Sequence, residues 1–511
     1  MKNIIMNKFS ILMLSLLSSV ALGDVGGIDV DEAMRRMNQY NGSWSGQELM
    51  RKDADDRLPQ LGIAGSSVIT VEEERVFGNY FFRKSKQHLN VILDPVLDDY
   101  IKTLGNRLIS HANNVHFPFN FFLVENQEIN AAAFLGGNVR IHSGLLTFAD
   151  NESQLASVIA HEITHVTQRH IARFIEDSAS RQNLAIGAIV GGIILSIINP
   201  SLGMAALHTS LGLNIQASIN YTRRDESEAD NIGIDLMARS GFDPREMGEM
   251  FSKMTSLSYK NIPQGLLTHP IPETRIAEAR SRAERYPAIH TLENINFLFA
   301  RARIQARYSG LNPEKAIEFF MDTLKGHRGS YTGDALYYGL SLAYLDNKNY
   351  AQALEYYNKI DARFRSNPFM LDVYSDICIL GKNPQAAINA LSREYQLTPN
   401  SPTVVINLAM AQNAAGQYRN TIKILKQFLY RNPDYDLAHD LLARTYRKIN
   451  DMYNFHVELA AYFSLSANYD KSNFNLLQAT KYAKSKLEKA RLDALTVKNE
   501  QLRVSDAQFE K

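Results

Sequence analysis

The stretch His161-Glu162-Ile163-Thr164-His165 decides how this chain is read. Two histidines four residues apart lie one turn apart on the same face of an α-helix, so both imidazoles reach a single ion. Glu162 is then angled toward the metal's open position, where a carboxylate accepts the proton of a water acidified by the ion. The flanking residues predict the helix itself. Asn151 and Gln154 open it, and Leu155, Val158, Ile159, Ile163 and Val166 make it apolar around much of its circumference, hence buried. A glutamate inside such a helix is costly unless it has a partner or a task. The pattern points to zinc and to attack on a polarised carbonyl, with His161 and His165 as ligands and Glu162 as general base.

A third ligand is required, and Glu226-Ser227-Glu228-Ala229-Asp230 offers one on a second predicted helix that ends at Gly241. Glu226 and Asp230 are four apart and share a face. Glu226 is expected to bind the metal, and Asp230 to accept the second ring proton of His161 or His165, which fixes the tautomer. The competing reading of the same residues is a solvated acidic face paired with Arg223 and Arg224. Glu228 is expected at the surface. His170 is expected beside the centre or at the surface rather than as a ligand, and His142 and His208 have no partner that spacing identifies. His269 stands between Thr268 and Pro270 in a restrained loop. Two readings of it remain open: a turn histidine capping a helix, or a group at the metal, as fourth ligand or as a latch.

Working outward, Thr70 with Glu73 reads as a capping box for a helix to about Gln87, and Asp94-Pro95 as the cap and first turn of another. Leu97, Tyr100, Ile101, Leu104 and Leu108 recur at helical spacing and define its buried face. Phe117 to Glu125 and Asn138 to His142, the latter after Gly136-Gly137, read as strands. Leu184 to Ile198 is almost wholly apolar, too short to span a bilayer comfortably. It reads as a buried or hairpin helix, with contact to a membrane surface as the alternative.

Beyond about residue 290 the pattern becomes purely helical and repeats. Ala353, Ala387 and Thr421 are spaced by 34, as are Pro399 and Pro433. That is the tetratricopeptide period. In units beginning near Asp334, Pro368, Pro402 and Asp436, the small residues Ser341, Ser375, Ala409 and Ala443 fall where two helices must approach closely. Such arrays bury a continuous core by stacking and bind peptides or proteins on their surfaces. Recognition and catalysis are thus expected in different segments, so that a chain ending near residue 290 keeps its metal. Lys484 to Lys511 reads as a capping helix with a frayed tail.

Composition excludes several function classes. The 511 residues suggest about three folding units, and 45% hydrophobic with 21% charged residues is ordinary globular usage. The 55 basic and 54 acidic side chains nearly cancel, so nucleic acid is not implied as a partner. Lys2 and Lys8 precede an apolar run from Phe9 to Leu22 and the small-residue pattern Ala21-Leu22-Gly23, which reads as a cleaved signal peptide. Its removal takes the net charge from +1 to −1. The single cysteine, Cys378, cannot form an internal disulfide and reads as a packing residue. A bacterial periplasm fits this chain best.

His161 to His165 with Glu226, Ala229 and Asp230 resembles the gluzincin peptidases related to the CAAX prenyl protease and HtpX, in their soluble form with C-terminal tetratricopeptide repeats. Asn130 to Phe134, Gly136-Gly137 through Leu146, and Leu267-Thr268-His269-Pro270 through Arg275 carry the rest of the likeness. The resemblance implies that Asn138, Val139, Arg140 and Ile141 pair with an extended substrate backbone, which requires an open strand edge. It implies one zinc per chain, and a periplasmic metalloendopeptidase with chaperone-like activity that degrades misassembled outer-membrane proteins. The implied partners are those unfolded proteins and, through the repeats, the outer-membrane beta-barrel assembly machinery. It also adds weight to His269 as a group at the zinc. The competing function is a repeat-based scaffold or chaperone with a structural or latent zinc site. The expected fold is mainly α: an α+β zincin-type metallopeptidase domain with a small sheet, then an all-α tetratricopeptide-repeat solenoid. The expected organisation is signal peptide 1–23, lead-in 24–69, metallopeptidase domain 70–289, repeat domain 290–490 and tail 491–511.

Overall fold

The computed structural model describes residues 69–182, 215–257, 269–287, 289, 293–326 and 330–507. The signal peptide, nearly all of the lead-in, Leu184 to Ile198 and the last four residues of the tail lie outside the described residues. No described helix is long and apolar enough to cross a membrane.

Helix α1 (Val71–His88) starts at the predicted reciprocal cap: Glu73 N donates to Thr70 Oγ1 at 3.2 Å and Thr70 N to Glu73 Oε2 at 2.8 Å. Helix α2 (Pro95–Ile109) begins at Pro95, with Asp94 accepting from Val96 N and Leu97 N. Leu97, Ile101, Leu104 and Leu108 form its buried face as expected. Three strands follow, β1 (Asn120–Val124), β2 (Ala131–Phe134) and β3 (Asn138–His142), in the sheet order β1-β3-β2. Gly136 and Gly137 take φ of +75° and +81° in the turn from β2 to β3, a backbone that a side chain would strain.

This topology corrects one expectation. Asn138, Val139, Arg140 and Ile141 lie on the central strand, paired in parallel with β1 and antiparallel with β2, so neither edge is open to a substrate. The outer strand is β2. Its Ala131-Ala132-Ala133 run lacks the β-branched residues that announce a strand, so patterning alone gives two strands where the described residues form three.

Helices α3 (Ser143–Phe148), α4 (Glu152–Thr167), α5 (His170–Gln182), α6 (Ile215–Arg239), α7 (Arg245–Leu257) and α8 (Glu273–Ala283) complete the first region. Asn151 caps α4 by accepting from Gln154 N at 3.0 Å. This helix sits between β2 and α6, in the middle of the hydrophobic core.

The C-terminal region is all helical: α9 (Ile295–Arg307), α10 (Pro313–Leu324), α11 (Tyr331–Asp346), α12 (Tyr350–Lys359), α13 (Pro368–Leu380), α14 (Pro384–Leu397), α15 (Pro402–Ala414), α16 (Tyr418–Arg431), α17 (Asp436–Lys448), α18 (Met452–Ser464), α19 (Tyr469–Thr480) and α20 (Lys486–Ala507). Helices α13, α15 and α17 start 34 residues apart, and so do α12, α14, α16 and α18. The small residues do sit where helices meet: Ser341 Oγ donates to Ala353 O at 2.8 Å, and Ser375, Ala409 and Ala443 are fully buried.

The two regions share one core, which bears against the expectation that a chain ending near residue 290 keeps its metal. Leu97, Ile101 and Ile141 belong to the same buried cluster as Phe297, Phe299, Tyr338 and Phe369, far beyond residue 290. At this seam Arg303 is buried, with Nε 2.6 Å from Asp94 Oδ2 and its second amine 2.6 Å from Asp372 Oδ2. The far end of the helical array closes back on α1, where Lys86 pairs with Asp436 at 2.7 Å and Arg83 pairs with Asp506.

Candidate metal centre

Helix α6 crosses α4 at Gly233, where a side-chain carbon would lie 3.4 Å from His161 N and 3.2 Å from Met247 Cε. That close approach turns the face carrying Glu226 and Asp230 toward the histidines of α4. His161 Nε2 and His165 Nε2 are 3.0 Å apart, and Glu226 reaches both, with Oε2 3.4 Å from His161 Nε2 and Oε1 3.5 Å from His165 Nε2. His269 arrives from the loop before α8, its Nδ1 2.7 Å from Glu226 Oε1. One donor atom from each of His161, His165, Glu226 and His269 falls within 4.8 Å of the others. The sequence-derived residues are thus brought together, and His269 with them.

Glu162 sits on the edge of this cluster with its two oxygens in different roles. Oε2 accepts the N–H of Ala133 at 2.7 Å, and Oε1 lies 3.7 Å from His269 Nε2. The Ala133 N–H is on the outer edge of β2, because Asn130 O bonds His142 N across the sheet and the odd-numbered residues therefore face outward. Arg140 on β3 is buried near Glu162 and Glu128, and burial lowers its guanidinium to about 10.

Behind the cluster, Asp230 Oδ1 stands 2.9 Å from His161 Nδ1 and is clamped by Arg275, whose Nε and one amine lie 2.7 and 2.8 Å from its two oxygens. The other amine of Arg275 donates to Pro270 O at 2.7 Å and lies 2.8 Å from Glu226 Oε2, tying the His269 loop to α6. On the opposite side Arg169 ends α4 with φ +53° and is held by Glu74 and Ile69 O. The turn it makes brings His170 Nδ1 to 2.7 Å from His165 Nδ1. Glu228 is half-buried rather than free at the surface, 2.8 Å from Arg173 and 3.4 Å from His170 Nε2. Ala133 and Arg275 lie in stretches that carry the family likeness but receive no role from it, and Arg173 lies in no motif at all.

The residues fit a divalent ion. Burial alone would lower His161, yet Asp230 and Glu226 push it up to about 10. Burial alone would raise Glu226, yet His269 and His161 hold it well below the usual carboxylate range. Glu226 is thus held ionised against its burial by the charge of neighbouring imidazoles, a counter-charge that a bound cation would supply in their place. Three imidazoles and one carboxylate are a zinc donor set rather than the all-oxygen set of calcium or magnesium.

Residues 95–283 match Peptidase family M48. Over 448 residues, 86% of this chain and 91% of the relative, the chain is 37% identical to the beta-barrel assembly-enhancing protease of Escherichia coli K12. It is 36% identical over 441 residues to the putative beta-barrel assembly-enhancing protease of Vibrio cholerae, with 86% and 91% covered. The metalloprotease LoiP of Escherichia coli K12 is 28% identical over 191 residues, 37% of this chain and 72% of that one. The seam-spanning core, the buried His/Glu cluster and similarity along nearly the whole length agree: the chain belongs to the M48 family of zinc metallopeptidases, and is itself a zinc metalloendopeptidase similar throughout to the beta-barrel assembly-enhancing proteases.

Proposed function

We propose that His161, His165 and Glu226 hold the zinc and that Glu162 is the general base. The observation that carries this reading is the split coordination of Glu162: Ala133 N–H engages Oε2 and leaves Oε1 facing the donor cluster. A zinc ion held by these residues would supply the Lewis acidity that polarises the scissile carbonyl and acidifies a water. Oε1 of Glu162 takes a proton from the attacking water and returns it to the departing amide nitrogen. The substrate chain adds to the outer edge of β2, where Ala131 and the carbonyl of Ala133 present backbone groups, instead of to Asn138–Ile141. Asp230, fixed by Arg275, orients His161 so that its Nε2 faces the ion.

His269 is proposed as a fourth, removable ligand. It stands between Glu226 and Glu162, so its imidazole occupies the space an attacking water needs, and it rides on a loop whose Pro270 carbonyl is held by Arg275. A latch of this kind restrains an endopeptidase among unfolded proteins.

The cellular reading rests on the relatives' names and on the sequence. We infer a signal peptide at residues 1–23, a periplasmic location, and a 34-residue array of tetratricopeptide type following the peptidase region. The clients are unfolded or misassembled outer-membrane proteins, and the array meets the beta-barrel assembly machinery. The test measures zinc content and casein cleavage for the purified chain and two variants. Glu162→Gln is expected to keep about one zinc and lose activity by roughly 100-fold or more, while His269→Ala keeps zinc and cleaves faster. Undiminished turnover by Glu162→Gln sinks the mechanism, and a metal-free His269→Ala sinks the latch.

A further inference from the structure

We propose that His170 is a positioning residue for the metal centre, accepting a hydrogen bond from Nδ1–H of His165 and turning its own Nε2–H toward the Glu228 and Asp225 carboxylates. The inference rests on the ligand assignment above and follows from counting protons. Nε2 of His165 faces His161 and Glu226, so as a ligand it must offer a lone pair. The one proton of the neutral ring is then on Nδ1, and its hydrogen-bond partner among the described residues is His170 Nδ1, at 2.7 Å. Two imidazole nitrogens this close share one proton, so His170 Nδ1 must accept. The proton of His170 is therefore on Nε2, which lies 3.4 Å from Glu228 Oε2 and 3.9 Å from Asp225 Oδ1. Any other assignment leaves two lone pairs or two protons facing each other in a buried space.

The arrangement parallels the support of the other histidine. His161 leans on a carboxylate, Asp230, which is held by Arg275. His165 leans on an imidazole, then a carboxylate, Glu228, which is held by Arg173 at 2.8 Å. The extra ring stands between His165 and the Glu228 carboxylate of α6, and it is available because Arg169 adopts a left-handed turn. Within an unbroken helix, residues five apart would not share a face. Ligand-orienting partners of this kind typically affect metal affinity 10- to 100-fold.

The experiment uses the full-length chain and competes zinc against a chromophoric chelator. His170→Phe keeps the ring shape but cannot accept a proton, and is expected to bind zinc about 10- to 100-fold more weakly. His170→Gln supplies a carbonyl acceptor and is expected to recover most of that loss. Equal weakening by both substitutions, or zinc binding by His170→Phe unchanged from the parent, overturns the relay. Glu226→Gln is the control for the ligand assignment. If it retains zinc fully, that assignment fails; if it loses zinc while His170→Phe does not, only the relay fails. Should the variants not fold, 15N-histidine spectra of the unaltered zinc-loaded protein decide, with a proton on Nε2 of His170 expected and a proton on its Nδ1 refuting the proposal.

Discussion

Two of the buried polar clusters handle charge in opposite ways. At the seam between the peptidase region and the helical array, Asp94 and Asp372 are both paired with Arg303, a cation that is part of the chain. Tyr308 and Tyr338 complete the cluster by hydrogen-bonding Asp94 Oδ2 and Arg303. At the metal centre, Glu226, Glu162 and Asp230 converge with three histidines, and Arg275 is set behind the donors. A fixed guanidinium makes a joint that always holds. A negative site lined with imidazoles makes one that waits for an exchangeable ion. Buried ion pairs contribute little net stability compared with apolar substitutes, but breaking one leaves a charge stranded. The comparison therefore separates a cluster whose loss costs folding from one whose loss costs metal.

The sharpest way to break the joint is to remove the array. A chain ending at residue 289 strips Phe297, Phe299, Tyr338 and Phe369 from the shared core and takes away the partner of Asp94. It is expected to be insoluble or unfolded by circular dichroism, and a folded, zinc-binding product would show that the shared core is dispensable. Next in size is Arg303→Met in the full chain, which strands two buried carboxylates and should cost about 3 to 5 kcal/mol of unfolding free energy. Chelation should not change that loss. Asp230→Asn probes the other cluster: zinc affinity should fall roughly 10- to 100-fold, while the metal-free protein melts close to the parent. If Asp230→Asn instead melted like Arg303→Met, the two clusters would be doing the same job.

What was legible in the sequence divides along the same line. Capping residues act locally, so Thr70, Asp94-Pro95 and Asn151 marked their helices correctly, and the 34-residue period gave the helix starts of the array. His161, His165, Glu226 and Asp230 were legible because an i, i+4 pair shares a helix face whatever the tertiary context. The central position of β3 was not, because strand order depends on a pairing partner that its own residues do not name. Nor was the seam, since Asp94, Arg303 and Asp372 are separated by more than two hundred residues at one step and about seventy at the next. The role of Glu228 was missed for the same reason, as its partners Arg173 and His170 lie on a different helix.

The smallest expected effect concerns a third buried pair, between the two types. His439 on α17 holds Glu458 of α18 through Nδ1 at 2.7 Å and Pro433 O through Nε2 at 2.9 Å, so both nitrogens carry protons only when the ring is charged. Burial works against that charge, but Glu458, with help from the Pro433 carbonyl and Asp436, raises the pKa above its ordinary value. A histidine whose folded pKa exceeds its unfolded value of about 6.5 adds stability that is complete below that value and disappears as pH rises through the folded one. The α17–α18 junction should therefore loosen with alkalinisation, unlike the Arg303 joint, whose cation does not titrate in this range. Comparing His439→Gln with the parent by thermal melting across that interval checks it: the gap between them should be widest in mild acid and close as pH rises. A gap that stays constant, or widens with pH, would mean that His439 is held neutral and contributes by packing alone.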